Sequence, residues 1–171
     1  MKQLGFSFEV SRCSGCFACV VACMDENDIP GDGLSFRQVA RIEHGNYPAA
    51  ALSFFSLACQ HCGDAPCVTV CPTGALFKRP EDGIVDVNQA LCVGCHSCAM
   101  ACPFGAPRFS DGKKMSKCNL CASRVDNKLE PACVRACPTK ALRFGDVDEL
   151  ARQKSDRASR RILTSLTGGE G

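Results

Sequence analysis

Apolar residues in this chain come in short stretches, and cysteines punctuate nearly all of them. The longest apolar run, Ala49 to Cys59, is broken only by Ser53 and Ser56 and predicts a buried strand that leads into a cysteine group. It falls far short of the ~20 residues that a membrane-spanning helix needs. Between Ala75 and Val87, two apolar stretches flank Pro80-Glu-Asp-Gly83, a hairpin signal. In the second arm Ile84 and Asp86 alternate with Val85 and Val87, which suits a half-buried strand. Residues 24–50, rich in Gly, Pro, Asp and Asn, read as a long connection carrying one short strand over Phe36 to Ile42. Asp146 and Glu149 then stand at capping-box spacing. Beyond them Ala151, Ala158, Ile162 and Leu166 make a thin apolar stripe on a predicted helix, with Arg152, Lys154, Arg157, Arg160 and Arg161 on its other faces. This tail is either a solvated helix that frays before Gly168-Gly169 or a docking surface for a partner.

The punctuation itself is regular. Sixteen cysteines form four groups, and none is left over. Cys13, Cys16, Cys19 and Cys23 are spaced C-x2-C-x2-C-x3-C, and Cys59, Cys62, Cys67 and Cys71 are spaced C-x2-C-x4-C-x3-C-P. The first spacing returns, with a proline added, at Cys92, Cys95, Cys98, Cys102 and Pro103. Cys118, Cys121, Cys133 and Cys137 are spaced C-x2-C-x11-C-x3-C-P and end on Pro138. The repeat extends past the cysteines, since Cys71-Pro-Thr-Gly-Ala-Leu76 returns as Cys137-Pro-Thr-Lys-Ala-Leu142. A short helix is expected after each complete group.

So many cysteines mean either a secreted disulfide scaffold or a set of metal ligands. The N-terminal Met1-Lys-Gln-Leu-Gly-Phe lacks the apolar stretch, cleavage site and twin arginine of an export signal. A cytoplasmic, reducing location is therefore expected, where the thiols stay free for metal. A cubane [4Fe–4S] cluster needs four soft thiolates converging on one small object. Three cysteines at x2 intervals wrap a loop around one side of it. In C-x2-C-x2-C-x3-C-P runs the fourth cysteine serves the other cluster of a pair. Zinc knuckles need neither the third cysteine nor the x3-C-P ending, and zinc is the weaker alternative. Four complete groups leave no open iron for radical chemistry, so four [4Fe–4S] clusters are expected.

Charge and composition agree with that chemistry. The formal charge of +2 counts the cysteines as neutral thiols. Each cluster with its thiolates adds roughly −2, which takes the loaded protein to roughly −6. Many of the twenty Lys and Arg are then neighbours of buried negative charge rather than a nucleic-acid footprint. With no Trp, one Tyr and ten Phe, much of the folding free energy must come from metal ligation. Nothing signals catalysis: there is no nucleotide-binding glycine loop and no nucleophile with a base.

The sequence resembles the four-cluster iron–sulfur subunits of molybdenum and tungsten oxidoreductases, including those of dimethyl sulfoxide reductase and formate dehydrogenase. The resemblance runs from about Leu4 to Asp148. It rests on Arg12-Cys-Ser-Gly-Cys-Phe-Ala-Cys19, Cys59-Gln-His-Cys62, Ala65-Pro-Cys67, Cys71-Pro-Thr-Gly-Ala75, Lys117-Cys-Asn-Leu-Cys121 and Pro131-Ala-Cys133. It implies an α+β fold of two ferredoxin-like dicluster units with a cluster-dominated core, short hairpins and short helices. Residues 4–48 with 110–145 would form the outer unit, 49–109 the inner unit and 146–171 a helical tail.

The resemblance also implies the ligand sets. Cys59, Cys62, Cys67 and Cys102 would hold one inner cluster, and Cys71, Cys92, Cys95 and Cys98 the other. The outer sets would be Cys13, Cys16, Cys19 with Cys137, and Cys118, Cys121, Cys133 with Cys23. Some relatives replace a third-group cysteine with Trp and hold a three-iron cluster there, whereas Cys95 is present here. Met24 stands where the other groups have proline. His61 and His96 are expected to donate hydrogen bonds to cluster sulfur or to face solvent, and Lys117 and Arg124 to offset cluster charge. The implied role is non-catalytic electron relay in a hetero-oligomer, without membrane insertion or nucleic acid. Its partners would be a molybdenum- or tungsten-pterin catalytic subunit and a flavin subunit or ferredoxin. The short chain looks most like the small ferredoxin-type subunits of tungsten aldehyde oxidoreductases or cytosolic formate dehydrogenases. A free diffusible polyferredoxin and a redox-sensing iron–sulfur protein are the competing readings.

Overall fold

Short elements alternate with the cysteine loops in the computed structural model, which describes residues 2–31, 33–109 and 114–166. Strand β1 (Leu4–Phe8) and a 3-10 turn (Val10–Arg12) precede the first loop, and α1 (Ala18–Glu26) follows it. Strands β2 (Gln38–His44) and β3 (Ala51–Leu57) fill the long connection. Then come α2 (Pro66–Thr69), β4 (Leu76–Lys78), β5 (Val85–Val87) and α3 (Ser97–Ala101). The last elements are α4 (Ala122–Asp126), α5 (Ala132–Arg135), β6 (Leu142–Asp146) and α6 (Val147–Leu166). The strands pair as antiparallel ribbons, β1 with β6, β2 with β3 and β4 with β5. Short helices and small antiparallel sheets make this an α+β fold.

The helices sit inside the cysteine groups rather than after them. Each of α1, α2, α3 and α5 begins one residue before the third cysteine of its group and runs toward the fourth, which α1 alone of these contains; this corrects the expectation of helices beyond the groups. The reason is the x3 spacing. Residues i and i+4 share one face of a helix about one turn apart, so a single turn can present two thiols at different heights. The proline after three of the fourth cysteines then stops the turn from continuing. Helix α1 packs on α5, and α2 packs on α3.

The repeat seen in the sequence is a repeat in three dimensions. Gly74 and Lys140 occupy the same place after Cys71 and Cys137, and both have positive φ, 64° and 53°. Strands β4 and β6 follow them. Strand β6 pairs with β1 in the register Phe6↔Phe144, which brings residues from the two ends of the chain side by side.

Among the described residues the core is not one large body. The buried side chains divide into small groups, and cysteines are members of three of the four groups. One joins Cys19, Cys133 and Cys137 to Val134, Ala141 and Leu142. Another joins Leu4, Ile84, Leu120 and Ala122. Ile84 and Val85 are 0% and 1% exposed and belong to different groups. Strand β5 is therefore buried on both sides at that end, not half-buried as the alternation suggested.

Strand β3 occupies the predicted run, and β2 begins two residues later than expected and runs to His44. The ribbon they form is mostly exposed, because no second layer covers it. The run is apolar for another reason: consecutive rings serve opposite faces. Phe54 covers Gly15, and Phe55 meets Phe8 edge-on at 5.3 Å. The tail helix is capped by the Asp146 carboxylate, which accepts from the Asp148 and Glu149 amides at 3.1 and 3.3 Å. Leu150 is buried, and Arg157 and Arg161 pair with Glu9. Ala151, Ala158, Ile162 and Leu166 are all exposed. The expected fraying point at Gly168-Gly169 lies outside the described residues.

Candidate metal centres

Two residues after the first cysteine of every group, the backbone turns left-handed. Gly15, His61, Gly94 and Leu120 have φ of 68°, 46°, 68° and 60°. Left-handed residues inside a turn aim successive N–H groups at one concavity, the geometry of an anion nest. His61 and Leu120 hold this conformation without being glycine, at a cost on the order of 1–3 kcal/mol each. Gly15 has no such choice, since a Cβ there would lie 2.4 Å from the Phe54 ring. Amides reach sulfur directly at several places, among them Leu120 N–H on Cys118, Ala106 N–H on Cys102 and Met115 N–H on Cys92, each at 3.4 Å.

The loops and helices gather cysteines from different groups. One cavity is lined by Cys13, Cys16, Cys19 and, from the last group, Cys137. Another is lined by Cys92, Cys95 and Cys98 together with Cys71 from the second group. Cys59 and Cys102 lie close enough to Cys62 and Cys67 to add to the upward push that burial gives those two thiols. Cys23 and Cys133 come together with Cys121. Cys118, in the same loop as Cys121, packs beside Cys59 instead. Neighbouring sets also touch, through Cys19 and Cys133, Cys118 and Cys59, and Cys67 and Cys98. Fifteen of the sixteen cysteines thus fall into a row of four groups with Cys118 between two of them, and the exposed cysteines, Cys16 and Cys95, belong to the groups at its two ends.

The electrostatics prepare these thiols for metal rather than for open solvent. Burial pushes the Cys118 thiol up to about 12 and that of Cys121 up to about 11. Burial raises Cys19, Cys23, Cys62, Cys67 and Cys98 as well. Such thiols keep their protons until a metal displaces them. Cys71 and Cys137 differ in the same way from these raised thiols. Against the upward push of burial, amides of the following turn and the Thr73 or Thr139 hydroxyl, 3.7 Å away, hold them low.

The polar residues flagged in the sequence separate into different roles. His61 is buried, and its Nδ1 accepts from the Val85 amide at 3.1 Å. Burial, then Lys117 and Lys78, hold it well below the usual histidine range, so the ring is neutral. Among the described residues its Nε2 has no partner, which costs about 1–3 kcal/mol in a closed interior. His96 is exposed and stacks on Phe109 at 3.8 Å. Lys117 is buried and donates to the carbonyls of Val85 and Cys118. Arg124 has a carboxylate of its own, Glu26 at 3.1 Å, so it is not a free counter-charge to the cysteines.

Three polar residues escaped the sequence reading. Arg37 and Ser56 are buried together beside Cys19, and half-buried Lys78 donates to Gln3 and to the Cys62 and Gly63 carbonyls. The break that Ser56 makes in its apolar run is the only local hint of any of them.

The residues present fit cubane clusters. Among the described residues, no three His, Cys, Asp or Glu side chains close around a single ion. Four thiols instead line each of the two cavities, and no acidic side chain does. Comparison with known proteins agrees. Residues 50–147 and 12–76 each match the 4Fe–4S dicluster domain. The B subunit of the anaerobic dimethyl sulfoxide reductase of Escherichia coli (strain K12) is 40% identical over 166 residues, covering 92% of this protein and 80% of that one. The corresponding B subunit of Haemophilus influenzae is 41% identical over 169 residues, covering 93% and 82%. Protein NrfC of Escherichia coli (strain K12) is 46% identical over 151 residues, covering 86% and 67%.

Proposed function

Because the chain belongs to the 4Fe–4S dicluster family that includes the B subunit of anaerobic dimethyl sulfoxide reductase, we propose that it relays electrons between a molybdenum- or tungsten-pterin catalytic subunit and a second redox partner. The chain is a non-catalytic iron–sulfur subunit with four [4Fe–4S] clusters. Its ligand sets are Cys13, Cys16, Cys19, Cys137; Cys23, Cys118, Cys121, Cys133; Cys59, Cys62, Cys67, Cys102; and Cys71, Cys92, Cys95, Cys98. Residues 49–109 make the inner unit, and 4–48 with 110–145 the outer. The packing of α1 on α5 and the β1–β6 ribbon support the outer grouping, as α2 on α3 and the β4–β5 ribbon support the inner.

The observation that carries this reading is the row of cysteine sets with one exposed cysteine at each end. Bound in such a row, iron–sulfur clusters supply one-electron exchange over a wide span of potentials. The chain's own residues do the rest. Inward amides and buried cations stabilise the added negative charge, and the apolar groups between sets keep water away from the sulfurs. The exposed ends at Cys16 and Cys95 serve as entry and exit, with the outer end facing the catalytic subunit. The relatives named above favour a dimethyl sulfoxide reductase-type partner over aldehyde oxidoreductase or formate dehydrogenase types. A flavin subunit or a ferredoxin would complete the chain of carriers in a hetero-oligomer. A cytoplasmic location goes with this reading, because cluster thiols must stay reduced during assembly. Among the described residues no helix is long and apolar enough to cross a membrane.

Anaerobic purification tests the reading. The expected product is brown, with about sixteen iron and sixteen labile sulfide per chain, and it bleaches with dithionite. Alone it should turn over neither sulfoxide, aldehyde nor formate with viologen dyes, whereas a complex co-purified from the native cell should turn over one of them. A colourless zinc-loaded chain, or turnover by the partner-free chain, would overturn the reading.

A further inference from the structure

A guanidinium buried away from water needs an anion, because desolvating a charge is costly unless something pairs with it. Arg37 lies just before β2 and is 2% exposed. Among the described residues no aspartate or glutamate pairs with it. Its Nη1 donates to Ser56 Oγ at 3.1 Å, its Cζ lies 4.4 Å from the centre of the Phe6 ring, and its Nη2 has no partner among the described residues. Arg79, by contrast, has carboxylates on its fork, Asp82 and Asp126.

Three cysteines lie within reach of that charge. Against the upward push of burial, Arg37 lowers Cys19, Cys23 and Cys118, and Phe36, next to it in the chain, packs on the buried group that contains Cys118. All three belong to the two outer ligand sets proposed above. The contact with Cys19 also runs through a hydroxyl. Ser56 Oγ accepts from Arg37, which leaves its own proton free for Cys19 Sγ, 3.6 Å away.

We infer that Arg37 is the fixed counter-cation of the two outer clusters and a positioning residue for electron transfer, raising their reduction potentials directly and, at Cys19, through Ser56. This rests on the ligand sets proposed above. The sign follows from charge. Reduction adds one electron to a site that is already negative. A nearby fixed cation stabilises the reduced state more than the oxidised one, and a hydrogen bond to ligand sulfur acts the same way. The set Cys71, Cys92, Cys95, Cys98 stands at the far end of the row and should not feel it.

The test is a redox titration of the full, loaded chain followed by electron paramagnetic resonance. Signals are assigned by Cys16→Ser, Cys121→Ser and Cys95→Ser. Arg37→Gln should move the midpoints of the two outer signals to more negative values and leave the Cys95 signal in place. Arg37→Lys, which keeps the charge, should stay near the wild-type midpoints. Ser56→Ala should lower only the signal shared with Cys16, and by less. If Arg37→Gln fails to load the outer sets and retains about eight iron while Arg37→Lys loads all four, charge compensation is also supported. The inference is overturned if loaded Arg37→Gln keeps every midpoint, if Lys behaves like Gln in shift or in loss of iron, or if all four signals move together. Iron and sulfide content of the wild-type chain judges the parent reading separately, since it does not depend on Arg37.

Discussion

Cys137 lies next to a cavity whose other thiols come from the opposite end of the chain. At that position a thiol is not interchangeable with its own neighbours in sequence. The amides of Thr139, Ala141 and Leu142 hold it low against burial, while Cys121 and Cys118 are pushed up to about 11 and 12. Cys137→Ser should therefore disturb the same paramagnetic signal as Cys16→Ser, and Cys121→Ser should disturb a different one, shared with Cys23. Spectra in which Cys137 and Cys121 altered one signal and Cys16 another would show that each group holds its own cluster. The same proximity explains why His61 could be flagged but not placed. Cys59 and Cys62 lie within two residues of it, but its hydrogen-bond partner Val85 and the cations that act on its ring, Lys117 and Lys78, are distant in sequence.

The elements are short because each is asked to deliver thiols rather than to bury a face. A single turn carrying cysteines at i and i+4 cannot stand alone in water, where nucleating a helix is unfavourable. It is held by its partner turn, α1 by α5 and α2 by α3. The β2–β3 ribbon is likewise too small to be stable by itself, and its Phe54 ring is fitted to the bare backbone of Gly15. Gly15→Ala pushes a methyl into that ring and demands a left-handed alanine besides. It should cost the chain about four of its iron atoms, with the loss confined to the signal of Cys16. Iron analysis with spectroscopy reads this, and uniform loss from all four signals would mean that the ribbon supports the whole fold.

At the scale of the molecule, stability and function share one source. The buried groups are small and centred on cysteines, and the β1–β6 ribbon ties residues near both ends of the described chain. Removing metal leaves raised thiols and unpaired cations where the core should be. Stripping iron with a chelator under anaerobic conditions should therefore abolish cooperative unfolding and expose the chain to protease throughout, as expected when metal binding and folding are one process. A protein that kept its helix signal and protease resistance without iron would show a core independent of the clusters.

Much of this protein was determined by sequence alone, and the reason is that ligand spacing is local. The x2 and x3 intervals specify which side chains can wrap a cluster, the Pro80 to Gly83 turn specifies a hairpin, and the Asp146 cap specifies where the tail helix starts. Each is settled within a few residues of backbone geometry. The tertiary structure decided what depends on residues far apart along the chain. It set Cys137 beside Cys13 and Cys71 beside Cys92, put β5 between two buried groups, and left the apolar run of β3 on an exposed ribbon. It also brought Arg37 and Ser56 to Cys19 and gave Arg124 to Glu26. A buried charge is recognisable only by what surrounds it, and no window of sequence contains its surroundings.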